Sequence, residues 1–350
     1  MWARLRRRSK LGNFSRLWTR FSHPIVARAS AGVGLLALIG VLGGAAAEAS
    51  AAQRCNGMRM LCERTFDEVV LAGTHNSMSS ASLGWKLPNQ SVAIPEQLDG
   101  GIRALLLDTY YGRLQEDGTV RTDDDGEVSQ GVRGTYLCHV FCELGATKLA
   151  PALRQIRKWL RANPNNVLLI ENEDYISSAD FVSAMRRSGL LDHVYRGPRA
   201  PWKTLEEMIA KRRQVVMLAD RNSNGDPAWY RPTYTGLMEE TPFTFNPPSK
   251  LTDPANWAES CRPNRGGTDG SLFLMNHWSP STPPPEPDLE QSAQVNARDV
   301  IVGRAQTCAE LRGRIPTLVA VDQFTAGGVI GAVRELNRLI VPRRAPRVVE

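Results

Sequence analysis

An α/β fold, an irregular (β/α) barrel, is what this 350-residue sequence predicts. Three observations carry the prediction. Short apolar runs alternate with helical patterns over about 270 residues, without any internal repeat. The runs are continuous rather than alternating in polarity, as in strands of a parallel sheet covered on both faces. Nearly every run also ends in an ionisable or amide side chain, which is how a barrel places its chemistry.

The chain opens with eight basic residues, Arg4, Arg6, Arg7, Arg8, Lys10, Arg16, Arg20 and Arg28, followed by the uncharged stretch Ala29–Ala47 and small residues at Ala49 and Ala51. This order reads as a secretory signal over residues 1–51. An uncleaved anchor is the alternative, since 19 uncharged residues can span a bilayer; the abundance of Gly and Ala weakens it. Removal of 1–51 leaves 35 basic and 35 acidic residues, so the net charge of +7 belongs to the leader. A nucleic-acid surface is therefore not expected. The barrel is assigned to 52–340 and a basic tail to 341–350, with a monomeric, secreted protein as the expectation. All six cysteines, Cys55, Cys62, Cys138, Cys142, Cys261 and Cys308, follow the leader, so disulfides are expected. Short loops favour Cys55 with Cys62 and Cys138 with Cys142, leaving Cys261 with Cys308, although sequence alone does not choose among the 15 pairings six cysteines allow.

The expected strands, in order, are "EVVLAGT" (68–74), "ALLLDTYY" (104–111), "YLCH" (136–139), "VLLIENEDY" (167–175), "VVMLADRN" (215–222), "SLFLMNHW" (271–278) and "TLVAVDQF" (317–324). An eighth, near "HVY" (193–195), is weak. Between them "APALRQIRKWLRAN" (150–163) sets Leu153, Ile156, Trp159 and Leu160 on one stripe and stops at Pro164. "SADFVSAMRRSG" is expected to start from a Ser178 cap and end at Gly189. "KTLEEMIAKRR" and "GVIGAVRELNRLI" are further helices. Residues 223–270 and 279–288 lack periodicity and are expected as long loops. The acidic run at 123–127 is expected as a hairpin tip.

At the strand ends stand His75, Asp108, His139, Glu171 with Glu173, Asp220, Asn276 and Asp322. Burying a neutral polar group without a partner costs about 2–7 kcal/mol, so this many in one position implies a shared mouth. Two histidines suit general acid–base chemistry, one imidazole taking a proton while the other gives one. Asn76 and the carboxylates are placed to hold a cation or to orient the imidazoles. His277 faces the other way from Asn276 and is expected to be structural, as is Arg103. Arg221 is a candidate for a phosphate oxygen, and Tyr110, Tyr111, Trp278 and Phe324 lie near the mouth.

Five segments in order, "AGTHNSM", "GIRALLLDTYYG", "LCH", "NNVLLIENEDY" and "LVAVDQF", resemble the phosphatidylinositol-specific phospholipase C X-domain family, from about Cys55 to about Leu339. The resemblance implies a distorted, incompletely closed TIM barrel and a phosphoric diester hydrolase or lyase acting on inositol phospholipid at a membrane surface. It implies His75 as general base for the inositol 2-hydroxyl, His139 as general acid for the leaving glycerol oxygen, and Asp322 as the carboxylate that orients His75. It matches Asn76 and Asp108 to calcium ligands, with Asn172, or Glu171 or Glu173 after a one-residue shift, at the fourth strand. Arg221 and Tyr110, by position rather than by resemblance, are the candidates for binding substrate, with a solvated loop arginine and a core aromatic as the alternatives. Calcium-dependent members carry an acid where this chain has Leu106, and calcium-independent ones an arginine where it has Asp108, so Ca2+ is an open expectation. The alternatives are another phosphodiester or headgroup on the same fold, and a non-catalytic binding protein.

Overall fold

Most of the barrel strands are continuous apolar runs, so each of these must be covered by barrel interior on one side and helix on the other. The computed structural model describes residues 53–123, 130–280 and 288–339. The leader, the 341–350 tail, most of the acidic run and most of the 279–288 loop lie outside the described residues.

In chain order the strands are β1 (Leu71–Thr74), β2 (Ala104–Leu114), β3 (Val120–Thr122), β4 (Val132–Leu137), β5 (Thr147–Lys148), β6 (Leu168–Asp174), β7 (Val215–Ala219), β8 (Tyr230–Pro232), β9 (Met238–Glu240), β10 (Leu272–Asn276) and β11 (Leu318–Val321). The barrel ladder runs β8-β7-β6-β2-β1-β11-β10-β9, with every neighbouring pair parallel. β8 and β9 are not laddered to each other, and the ring is open between them.

Alternation along each strand separates two cores. Leu71, Ala104, Leu106, Leu169, Val216, Leu218, Met238, Leu272, Leu274, Leu318 and Ala320 share the interior cluster. Leu105, Leu107, Ile170, Met217, Phe273, Met275 and Val319 join the helices outside. The helix Leu149–Ala162 buries Leu153, Ile156, Trp159 and Leu160, the stripe expected from its spacing. Arg103 is structural, its guanidinium tied to Asn166 and the carbonyls of Leu98 and Ile102.

Several expectations need correction. "YLCH" is not a barrel strand: β4 pairs antiparallel with the long β2, which runs on to Leu114. "HVY" contributes one bridge, Val194 to Val215, and no strand. The two missing barrel strands, β8 and β9, lie inside the stretch expected as loop; at three residues each they are too short to show a period. The cap of the helix Ser178–Ser188 is Ser177, which accepts from the Asp180 amide. The helix Arg298–Arg312 carries no clear apolar stripe in the sequence, because its buried face includes Arg304 and Arg312. These arginines have partners inside: Arg304 donates to Ser260 and the Asn276 carbonyl, and Arg312 pairs with Glu239. The three disulfides join Cys55 to Cys62, Cys138 to Cys142 and Cys261 to Cys308.

Candidate active site

β1 ends at Thr74, and the chain turns at once through Asn76, whose φ of 44° is a left-handed conformation that Asn tolerates better than most residues. Gln97 bridges Thr74 and the Ser77 carbonyl, while Gln90 donates to the carbonyls of both His75 and Val321. These amides lock the ends of β1 and β11 side by side. His75 therefore meets Asp322 directly, Nδ1 to Oδ1 at 3.0 Å, and Asn89 holds the same carboxylate oxygen at 3.2 Å. Trp278 stacks on the His75 ring, with centroids 3.9 Å apart and planes within 5°.

His139 reaches the same place from a different direction. β4 runs back along β2 and delivers it beside the middle of that strand, where the Cys138 amide bonds the Asp108 carbonyl and the Cys138–Cys142 disulfide closes the turn. Its Nε2 lies 3.1 Å from Asn76 Nδ2, and its ring centroid is 6.5 Å from that of His75. Burial and the adjacent His75 push the His139 imidazole down to about 4. Neutral His139 accepts the Asn76 amide proton at Nε2, which sets its tautomer.

Beside the imidazoles lies a cavity of about 210 Å³, lined by His75, Asn76, Asp108, Glu171, Glu173 and Asp220. Leu106 and Leu274 also line it, as does Trp278. β2 and β6 are in register with Asp108 opposite Glu173 and Leu106 opposite Glu171, so both glutamates face the cavity. Asn172, on the other face of β6, donates instead to the Tyr230 hydroxyl and belongs to the outer layer. Burial raises the Asp108 and Glu171 carboxyls well above the usual range; Glu173 then adds to the Asp108 shift and Asp220 to that of Glu171. Glu171 Oε1 has no protein partner.

The arrangement is rich in hard oxygen donors and poor in positive charge, which is the donor chemistry of a divalent cation such as calcium. Asn76, Asp108, Glu171 and Glu173 are the residues that would hold it. Among the described residues no three histidine, cysteine or carboxylate side chains already stand as a metal cage, so the cluster would have to draw together.

The two substrate-binding candidates are placed elsewhere. Tyr110 is buried under the mouth, stacked on Tyr175 at 4.3 Å and packed with Tyr136 and the Cys138–Cys142 pair. Arg221 is at the rim, over the Tyr175 ring and 3.4 Å from Glu173. Neither lines the cavity. The cation that does line it is Arg265, which binds both Asp220 oxygens and Glu240 Oε1, with Tyr234 against its guanidinium. Arg265, Glu240 and Tyr234 come from the stretch without periodicity, and no sequence signal singled them out. Asn89 and Gln90 were also missed; only their position in a polar loop after a strand hinted at a role.

The PI-PLC X domain family model, described as PI-PLC X 1, matches residues 61–337. A PI-PLC X domain-containing protein 1 of Arthroderma benhamiae is 29% identical over 301 residues, covering 81% of this chain and 90% of the relative. A protein of the same species named as secreted is 27% identical over 297 residues, 80% of this chain and 62% of the relative. A PI-PLC X domain-containing protein of Arabidopsis thaliana is 26% identical over 302 residues, 78% of this chain and again 62% of the relative. The chain thus spans about three-fifths of these last two. Among solved structures, phosphatidylinositol-specific phospholipase C from Staphylococcus aureus superposes with a TM-score of 0.51 at 11% identity, covering 79% of this chain and 95% of that one. At that identity the likeness is one of fold.

Proposed function

This chain belongs to the PI-PLC X family, and from that premise we propose that it is a phosphodiesterase cleaving the glycerol-side phosphodiester of an inositol phospholipid. The observation that carries the reading is the pair of imidazoles with ring centroids 6.5 Å apart, one of them tied to a buried carboxylate. The Asp322 bond engages His75 Nδ1 and leaves Nε2 for substrate. In the proposed step Nε2 takes the proton of the inositol 2-hydroxyl, whose oxygen attacks phosphorus. The bond from phosphorus to the glycerol oxygen breaks, and His139 gives that oxygen a proton. The products are a cyclic inositol phosphate and diacylglycerol.

For this step His139 must carry a proton, which burial and His75 resist in the free site. The substrate's phosphate brings a negative charge beside it and opposes that resistance. Calcium, held by Asn76, Asp108, Glu171 and Glu173, would supply charge stabilisation for the phosphate oxygens. The residues of this chain align the reactants, the larger part of the work in phosphoryl transfer. Secretion is part of the proposal: the basic and apolar leader, three disulfides and a relative named as secreted all support it.

The test is the purified protein with phosphatidylinositol vesicles, with calcium or with chelator, following cyclic inositol phosphate. His75→Ala and His139→Ala should each lower turnover by about 10²–10⁴-fold. Unchanged turnover in both variants would remove the mechanism. Cleavage of phosphatidylcholine at the same rate would move the assignment to another phosphodiester.

A further inference from the structure

A second cavity, of about 710 Å³, lies against β8, the strand that ends the barrel ladder at its open edge. It shares no lining residue with the cavity beside His75. Three arginines line it: Arg196 and Arg199, exposed on the loop after Tyr195, and Arg231, which is only 5% exposed. No carboxylate lines it.

Arg231 is an unusual resident of a strand interior. Its Nη2 donates to the Gly197 carbonyl at 2.7 Å, and its guanidinium lies over the rings of Tyr195 and Trp202 at 5.2 and 5.4 Å. Its Nη1 is buried without a protein partner. Among the described residues none of the three arginines forms an ion pair with an acid; each of the other buried arginines of this barrel is either paired with a carboxylate or held by several oxygens. Burial lowers the Arg231 guanidinium below its ordinary value, and Arg199 adds to that while Tyr195 opposes it. A cation kept out of water with no counter-charge is costly unless an anion joins it.

We infer that this cavity is a binding site for a phosphate-bearing ligand, with Arg231 as its buried anchor and Arg196 and Arg199 as the groups that close over the anion. Guanidinium is the side chain best matched to phosphate, since its planar fork offers two parallel donors. The volume lies within the range of small-molecule pockets and exceeds what a bare phosphate needs. Trp229, also in the lining, offers an apolar wall for the rest of the ligand. The same chemistry is offered by a free phosphorylated solute and by the headgroup of an anionic lipid.

The experiment uses the purified protein, its Arg196→Ala/Arg199→Ala double variant, an Arg231→Met variant and His75→Ala. Inorganic phosphate is titrated by calorimetry, and phosphatidylserine in phosphatidylcholine vesicles is tested by co-sedimentation. The double variant changes exposed side chains and keeps the fold, so it reads the site even if Arg231→Met fails to fold. Loss of two charged donors should weaken phosphate binding at least about tenfold. The same loss should appear when the double substitution is made in the His75→Ala protein, which separates this site from the barrel mouth and from the proposed catalysis. Binding of free phosphate that falls in the double variant supports a soluble ligand. Absence of free-phosphate binding together with vesicle binding that falls in the double variant supports a lipid headgroup. Binding of neither probe, or equal binding by the double variant and the unaltered protein, overturns the inference.

Discussion

Asp322→Asn isolates the contribution of one contact to the proposed reaction. The carboxylate is 5% exposed, 3.0 Å from His75 Nδ1, and braced by Asn89 at 3.2 Å. The amide keeps the shape and the brace but removes the charge. At this separation the attraction between the carboxylate and an imidazolium is about 5 kcal/mol with an effective dielectric of about 20. Desolvation consumes much of it, and hydrogen bonds to charged groups retain about 1.5–3 kcal/mol. That retained part corresponds to a fall in turnover of about 10–150-fold, because the imidazolium forms only as the 2-hydroxyl proton is taken. The assay is cyclic inositol phosphate production under saturating phosphatidylinositol, with circular dichroism and thermal melting to establish that the variant is folded. Since the lost stabilisation is confined to the transition state, kcat should fall and KM should not. A folded Asp322→Asn protein with full kcat would refute the role given to Asp322 and with it the choice of His75 as base.

Other consequences follow from the same structure. His277 is fully buried between the Val295 carbonyl and Arg304, and burial with the Arg304 charge pushes it down to about 3. The unfolded chain takes up this proton near pH 6.5, so its stabilising effect is whole above that pH and is lost as pH falls toward 3. At about pH 4.5 the loss is about 2–3 kcal/mol, and His277→Gln should show a smaller drop in urea midpoint between about pH 7 and 4.5 than the unaltered protein; equal drops would contradict the assignment. Arg312→Leu leaves Glu239 buried without its main counter-charge and should cost about 3–5 kcal/mol in chemical denaturation, a figure that a fall below 1 kcal/mol would exclude. Glu171→Gln replaces one carboxyl of the crowded acidic cavity with an amide. If that cluster holds calcium, the variant should bind the ion more weakly in calorimetry, and its melting temperature should respond less to added calcium; an unchanged calcium response would remove Glu171 from the ligand set.

How much is legible in the sequence depends on the length of each element. β2, β6 and the helices Leu149–Ala162 and Ser178–Ser188 are long enough for a period or a continuous apolar run to be recognised. β8 and β9 are too short, and the helix Arg298–Arg312 hides its buried face behind arginines whose partners lie up to 73 positions away. The position of His139 was anticipated for the wrong reason. It was expected at the end of a barrel strand, whereas an antiparallel hairpin and a disulfide carry it to the mouth.

By itself the sequence determined the alternation of strand and helix, the polar residue at the end of each long strand and the family to which the ordered motifs point, because these depend on neighbours along the chain. Only the tertiary structure decided which of those residues share a cavity. Register across β2 and β6 chose Glu171 and Glu173 over Asn172, and the loop after β9 brought in Arg265, which no local pattern announces. The physical reason is that facing and burial are set by pairing between distant segments, and a side chain's charge state follows from what that pairing places beside it.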